Sequence, residues 1–140
     1  MMHFGLTQQP IDVAAWKQRL EQDACGALVT FEGWVRNHNN QRPVTHLVYS
    51  AYERMAQLQG TRIVQQALAQ FAIGAAVCVH RIGPLAIGEA AIFVGVSAAH
   101  RGPAFEACRF ILDQVKADVP IWKEEFYADQ PESLWLTNNG

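Results

Sequence analysis

The sequence predicts one α+β domain over residues 1–140, and three observations support this prediction. The length suits a single domain, and half of the residues are apolar, so the chain can form a core without disulfide bonds. Apolar residues alternate with period two in some segments and recur at helical spacing in others. These segments follow one another as a hairpin, a helix, strands, a helix and a strand, which is typical of the α+β class.

The first segments indicate a helix followed by a β-hairpin. Residues 10–21 are predicted to form a helix, with Asp12 as its N-terminal cap. Residues 27–35 alternate as a strand. The polar, asparagine-rich residues 36–43 are predicted to be the hairpin loop, and residues 44–52 the returning strand.

The middle of the chain indicates a helix and then three extended segments. Residues 53–71 have helical spacing, although Gly60 inside them costs about 1 kcal/mol relative to alanine. Residues 75–82 and 90–98 are apolar and predicted to be strands. A short extended piece, residues 85–87, lies between two glycine-containing turns.

The last third predicts a helix that Gly102-Pro103 opens and that ends before Pro120. Residues 121–127 then form a strand, in which Lys123 shares a face with Glu125. Only a short tail is expected after this strand. Four helix residues are expected to face the core: Phe105, Cys108, Leu112 and Val115.

Composition excludes several classes of function. The net charge is -2 and no basic run exists, so general nucleic-acid binding is not expected. No apolar stretch reaches the roughly 20 residues of a membrane span, and the N-terminus does not have the pattern of a signal peptide. We therefore expect a cytoplasmic protein. Charged residues are 17% of the chain, below the usual figure of about 25%, which suggests that part of the surface forms contacts.

The three cysteines do not predict a disulfide scaffold or a zinc site. Their number is odd, they are widely spaced, and no two form a CxxC pair. Cys78 and Cys108 lie in apolar patterns and are expected in the core, with a catalytic thiol as the alternative. No spacing among the five histidines is typical of a metal site either.

Two segments indicate anion binding. His100-Arg101 directly precedes a helix start, where imidazole, guanidinium and free backbone N–H groups can act together. Arg36 ends a predicted strand, where it is either an anion ligand or a solvated arginine. His80 also ends a strand but precedes a turn, so a packed histidine is the simpler interpretation.

Lys116 and Lys123 flank a short apolar turn, and two interpretations remain open for each. Lys116 lies in the last turn of a predicted helix, where the helix dipole favours a cation. Lys123 could protect an exposed edge strand against aggregation. Alternatively, the turn brings both ammonium groups together near apolar surface, where their pKa values fall and they can act as acid, base or nucleophile.

Four segments together resemble the large, catalytic subunit of molybdopterin synthase. They are GALVTFEGWVRNHN (26–39), HRIGPLAIGE (80–89), VGVSAAHRGPAFEACRFILDQVK (94–116) and PIWKEE (120–125). The resemblance covers roughly residues 9–135. It implies an α/β hammerhead-like domain with an added antiparallel β-sheet.

The resemblance also implies an activity and partners. Members of this family are sulfurtransferases that convert cyclic pyranopterin monophosphate to molybdopterin. The sulfur comes from the C-terminal glycine thiocarboxylate of a small ubiquitin-like sulfur-carrier subunit. The implied assembly is a heterotetramer built on a homodimer of the large subunit, and no metal or cofactor is implied.

The matching motifs imply a set of site residues. Lys116 and Lys123 are expected to be catalytic, because cations stabilise the oxyanion of thiocarboxylate transfer and a lysine can move protons. The residues implied in substrate binding are Trp34, Val35, Arg36, His100, Arg101, Lys116, Lys123, Glu124 and Glu125.

The sequence departs from the family pattern at three places. Ser50 stands where many relatives have glutamate, and residues 39–43 lack a glycine often found in that hairpin. The tail after Trp135 is short, so contacts of later residues are in doubt. Gly140 is not preceded by a second glycine, which favours the acceptor subunit over the sulfur carrier. The alternative function is a non-catalytic relative that binds a ubiquitin-like tail or an anionic ligand.

Overall fold

The structure is a computed structural model that describes residues 1–138 of the chain. These residues form three helices and nine strands. This composition confirms the predicted α+β class. Asn139 and Gly140, on which the choice between acceptor and carrier partly depended, lie outside the described residues. In chain order the elements are β1 (Met2–Thr7), α1 (Val13–Leu20), β2 (Ala27–Trp34), β3 (His38–Asn39), β4 (Arg42–Ala51), α2 (Glu53–Gln70), β5 (Ala75–Arg81), β6 (Gly83–Ala86), β7 (Ala90–Ala98), α3 (Arg101–Asp118), β8 (Ile121–Tyr127) and β9 (Ser133–Thr137).

The first sheet has the strand order β1-β5-β7-β2, and its only parallel pair within the described residues is β1 with β5. Alternate residues of its strands point to opposite faces. On one face Cys78 and Val94 pack with α2 and α3 in the main core. On the other face Val77 and Phe93 pack with Leu20 of α1 in a second, smaller core.

The second sheet has the order β3-β4-β8-β9, and β6 also pairs with β4. All of its pairings are antiparallel, as the resemblance implied. Strand β8 lies inside this sheet, hydrogen-bonded to β4 on one side and β9 on the other. The interpretation of Lys123 as an edge-strand charge is therefore wrong.

Three strands were not predicted: β1 at the N-terminus, β3 inside the expected loop at residues 36–43, and β9 in the tail. Strand β1 explains the glycine inside α2, because a Cβ atom at Gly60 would lie 2.4 Å from ring carbons of Phe4. The helix can approach β1 closely only without a side chain at that position. Gly60 is thus a packing requirement, and α2 runs unbroken through it.

The predicted hairpin of residues 27–35 with residues 44–52 is wrong, because β2 pairs with β7 in the first sheet whereas β4 belongs to the second sheet. The hairpin that lacks the family glycine joins β3 to β4 instead, and it closes with two residues in the left-handed region. Asn39 pairs with Arg42, and between them Asn40 has a φ of 50° and Gln41 a φ of 64°. Two consecutive positive φ angles are typical of a type I′ turn, for which Asn-Gly is the favoured sequence. Gln41 therefore occupies a position that suits glycine better.

Helix α3 confirms most of its predicted pattern and corrects one residue. It ends at Asp118, and Val119 is extended before Pro120, as expected. Cys108 and Val115 are buried. Phe105, however, is 61% exposed, so its predicted core position is wrong. Its side chain lines a cleft between α3 and β2 and does not enter the core.

Candidate functional site

The two lysines lie at the junction of the two sheets. Lys116 is in the last turn of α3, the chain turns at Val119 and Pro120, and β8 with Lys123 begins at once. Lys116 is half-buried. Burial lowers the pKa of Lys116, and the charge of Lys123 lowers that pKa further. This effect of Lys123 on Lys116 is consistent with the second interpretation of the sequence, in which the turn brings the two ammonium groups together.

A buried carboxylate holds Lys123. The Lys123 Nζ atom lies 3.7 Å from Oε2 of Glu125, which is 3% exposed. The other oxygen, Oε1, accepts hydrogen bonds from Asn39 Nδ2 and from the Tyr127 hydroxyl, each at 2.8 Å. Because three groups surround this carboxylate, Glu125 restricts where the ammonium of Lys123 can lie.

Tyr49 and His80 form the inner wall of the site, and sequence reasoning missed Tyr49. Tyr49 is the cross-strand partner of Lys123, and its ring meets the His80 ring edge-on at 4.8 Å. Burial is the main cause that raises the pKa of Tyr49 to about 12, and the charge of Glu125 contributes. Tyr49 is therefore neutral at physiological pH and can donate a hydrogen bond.

His80 is a packed, neutral histidine, as its simpler interpretation expected. It is 1% exposed, and its Nδ1 lies 2.7 Å from the carbonyl oxygen of Arg81. Burial is the main cause that lowers the pKa of His80 to about 4. The hydrogen bond to Arg81 opposes this change, and the charge of Lys116 adds to it. Tyr49, whose ring contacts His80 and whose cross-strand partner is Lys123, connects His80 to the lysine site.

The end of β2 brings three more of the expected residues to this side of the domain. The first residue of β2, Ala27, pairs with Ala98, the last residue of β7. Helix α3 follows β7 and runs back along the sheet, so its last turn lies near the end of β2. Arg36 and Lys116 are therefore at the same end of the sheet. Arg36 is exposed and has no ion pair or hydrogen-bond partner among the described residues. Trp34 is 67% exposed, whereas Val35 is buried and can contribute only its backbone.

His100 and Arg101 are not brought together with the lysines within one chain. Both are exposed at the N-terminus of α3, and Lys116 lies in its last turn. Fifteen residues of helix at about 1.5 Å per residue separate Arg101 from Lys116, which is about 22 Å. Glu124 is also apart, because it lies on the opposite face of β8 from Lys123 and accepts a hydrogen bond from Ser133.

An apolar cleft of about 410 Å³ runs between α3 and β2. Its α3 wall includes Phe105 and Leu112, and Lys116 follows one helical turn after Leu112. The cleft thus leads along the helix in the direction of the lysines. Sequence reasoning missed it, because it assigned Phe105 to the core. The lining residues are Val29, Thr30, Phe31, Phe105, Cys108, Arg109, Leu112 and Asp113.

The described residues contain no group of three or more histidine, cysteine, aspartate or glutamate side chains that could hold a metal ion. Cys25, Cys78 and Cys108 are free thiols. Cys78 and Cys108 are buried in the core, as expected, and burial raises the pKa of both. Within residues 1–138, no helix is both long and apolar enough to cross a membrane.

Comparison with known proteins identifies the family of this chain. The family described as MoaE protein matches residues 6–118. The chain is 47% identical over 117 residues to the molybdopterin synthase catalytic subunit of Pyrococcus abyssi, covering 84% of this chain and 78% of that protein. It is 42% identical over 128 residues to the protein of the same name from rice, Oryza sativa subsp. japonica. That match covers 91% of this chain and 65% of the rice protein, so the chain spans about two thirds of that relative.

Solved structures agree with these matches. A molybdopterin synthase from Staphylococcus aureus superposes with a TM-score of 0.88 at 30% identity, over 94% of each chain. A complex of subunits 1 and 2 of the molybdopterin-converting factor from Helicobacter pylori has a TM-score of 0.75. That match covers 91% of this chain and 86% of the other, and its 20% identity supports the fold alone.

Proposed function

The chain belongs to the MoaE protein family, and we propose on this basis that it is the catalytic subunit of a molybdopterin synthase. In this proposal it converts cyclic pyranopterin monophosphate to molybdopterin. The sulfur comes from the C-terminal thiocarboxylate of a small ubiquitin-like subunit. The observation that carries the proposal is the pair of interacting lysines at the junction of the sheets, one of them with a lowered pKa.

The lysine pair suits the chemistry of a thiocarboxylate. The thiocarboxylate sulfur first bonds to the pterin as a thioester, and water then attacks the carbonyl carbon. The tetrahedral intermediate has a negatively charged oxygen, which a nearby ammonium group stabilises. It collapses by breaking the acyl carbon–sulfur bond, which leaves the sulfur on the pterin and a carboxylate on the carrier glycine. A lysine whose pKa is lowered toward neutrality also exchanges protons more readily at physiological pH. We assign contact with the carrier's terminal glycine to Lys116 and contact with the pterin to Lys123, which Glu125 orients.

The apolar cleft suits the tail of the sulfur carrier. A ubiquitin-like C-terminal tail must be extended to bring its last residue to the lysines. The groove between Phe31 and Phe105 offers such a path, and Leu112 lies next to Lys116 at its inner end. The relative from Pyrococcus abyssi is by its name one subunit of a molybdopterin synthase, which supports a partner subunit.

The anion-binding residues support a homodimer within a heterotetramer. Arg36 lies at the lysine end of the domain, whereas His100 and Arg101 lie about 22 Å away along α3. If all of them contact one cyclic phosphate, a second copy of the chain must supply His100 and Arg101. We therefore propose that each substrate pocket lies between two copies. We further propose that the protein acts in the cytoplasm as one domain and without a cofactor.

A reconstituted reaction tests the proposed function. The purified chain is incubated with a thiocarboxylated small subunit and cyclic pyranopterin monophosphate, and the dithiolene product is sought by mass spectrometry. Product formation that requires all three components supports the proposal. Binding of the small subunit without any product would instead favour a non-catalytic relative.

A further inference from the structure

Asn138, just after the last strand, is buried in the wall of the site. It is 5% exposed, although most residues from Asp129 to Thr137 are exposed or half-buried. Its Nδ2 atom lies 3.1 Å from Nε2 of His80, 58 residues earlier in the chain. This contact joins the end of the second sheet to β5 of the first sheet.

The hydrogen bonds of His80 fix the direction of this contact. The carbonyl oxygen of Arg81 can only accept, so Nδ1 of His80 carries the proton. Nε2 of a neutral imidazole is then an acceptor, and the amide of Asn138 donates to it. A protonated imidazole would place an N–H group against the Nδ2 atom of Asn138, so this orientation of the amide suits neutral His80.

The same contact is connected to the lysines through their neighbours in the two sheets. His80 meets Tyr49 of β4, whose cross-strand partner is Lys123, and His80 also interacts with the charge of Lys116. Asn138 follows β9, whose Leu136 is the other cross-strand partner of Lys123. The titratable groups at the lysine site are Tyr49 of β4, His80 of β5, Lys116 of α3, and Lys123 and Glu125 of β8.

We propose that Asn138 is a positioning residue that closes the inner wall of the lysine pocket, so that neither His80 nor Lys116 is hydrated from behind. The amide satisfies the only free nitrogen of a buried ring and occupies the space through which water would reach it. Lys116 then keeps the dry surroundings on which its proposed role depends. The inference depends on the proposed function only where it concerns the role of Lys116 in sulfur transfer.

The Asn138→Asp variant tests the contact itself. It has nearly the same shape as the native residue but puts a negative charge about 3 Å from the His80 ring. A close opposite charge raises the pKa of a histidine by about 1–3 units. We expect such a rise for His80 in NMR titrations of the full chain. Gln65→Glu, which adds the same charge on the exposed face of α2, should leave that pKa unchanged. An equal His80 titration in both variants would overturn the proposal.

The Asn138→Ala variant tests the role in keeping the pocket dry. Burial is the first cause of the lowered Lys116 pKa, so hydration from behind should raise that pKa toward its ordinary value of 10.5. At the pH where Lys116 titrates, His80 is neutral in either protein and does not oppose this change. The NMR titration of Lys116 Cε reports the shift directly, with Gln65→Ala as the matched control. No shift would overturn the proposal.

Activity measurements separate this inference from the proposed function. If the native chain transfers sulfur, the limb of its pH–rate profile that depends on Lys116 should move to higher pH in Asn138→Ala. A variant that loses activity at every pH with an unmoved limb would contradict a positioning role. If the native chain transfers no sulfur, the proposed function fails, and the two NMR titrations still decide whether Asn138 closes the pocket.

Discussion

The ammonium of Lys123 lies 3.7 Å from the carboxylate of Glu125, and both belong to the face of β8 that packs toward Tyr49. Glu124, between them in sequence, lies on the other face and bonds to Ser133. The period of two in a strand therefore gives two adjacent glutamates different surroundings. Substitutions of the two glutamates should therefore differ in their effect on stability and activity.

Glu125→Gln should reduce both stability and sulfur transfer. It removes the charge that pairs with Lys123 and sets an amide against the donors of Asn39 and Tyr127. We expect unfolding in urea to show a loss of about 2–3 kcal/mol, the range for a charged hydrogen-bond partner lost from a buried site. Glu124→Gln, the matched control, should lose less than about 1 kcal/mol and keep its activity. Equal effects of the two variants would contradict this account.

Alanine at Lys116 or Lys123 should abolish most sulfur transfer and leave the fold and the small-subunit complex intact. Arginine should fail at both positions too, because it keeps the charge but does not exchange a proton near neutral pH. Turnover assays, with circular dichroism and a binding assay as controls, check this expectation. Near-native turnover of the Lys123 variants would remove its catalytic role.

Mixed dimers should show whether Arg101 acts across the dimer. We expect Lys116→Ala and Arg101→Ala chains to be weakly active alone. If each pocket takes Lys116 from one copy and Arg101 from the other, a mixed dimer contains one fully native pocket. An equal mixture, after exchange of subunits, should then recover about one quarter of native activity. Recovery of none would place both residues in the pocket of a single chain.

Gln41→Gly should stabilise the chain. Gln41 has a φ of 64°, and a left-handed conformation costs a residue with a side chain roughly 1–2 kcal/mol that glycine does not pay. The gain is partly offset by the greater freedom of glycine in the unfolded chain. We expect a net gain of about 0.5–1 kcal/mol in thermal unfolding. Asn40→Gly should gain less, because asparagine tolerates this conformation well.

The free energy of unfolding should decrease as the pH falls below 6.5, because His80 is buried in its neutral form. The folded-state pKa of about 4 lies below the ordinary 6.5, so the unfolded chain binds the proton first as pH falls. The free energy of unfolding should decrease between pH 6.5 and 4, by up to about 3 kcal/mol. His80→Asn should be less stable at pH 7 but should lack this part of the pH dependence. A parallel decrease in both proteins would contradict the assignment.

Local chemistry predicted the elements with strong signals. Asp12 caps α1 by accepting from the backbone N–H of Ala15, and Pro120 ends α3 where expected. The alternation of residues 121–127 correctly predicted that Lys123 and Glu125 share one face of β8. In each case the cause lies within a few residues of the effect, so a single sequence contains it.

Long-range contacts account for what the sequence did not reveal. Strand β1 forms only by pairing with β5, more than seventy residues later, and Gly60 is required only because Phe4 of that strand packs against it. The exposure of Phe105 depends on how α3 lies over β2. The contact between His80 and Asn138 joins two sheets, and no local pattern in either segment indicates it.

The position of β8 between two neighbours limits how the length of this chain can vary in evolution. Its hydrogen bonds to β4 and β9 fix the register on both sides. One residue gained or lost before Lys123 within 121–127 would turn every later side chain to the opposite face, exchanging Glu124 for Glu125 in the pocket. Insertions and deletions should therefore accumulate in the exposed connection at residues 128–132, where they leave the lysines in place.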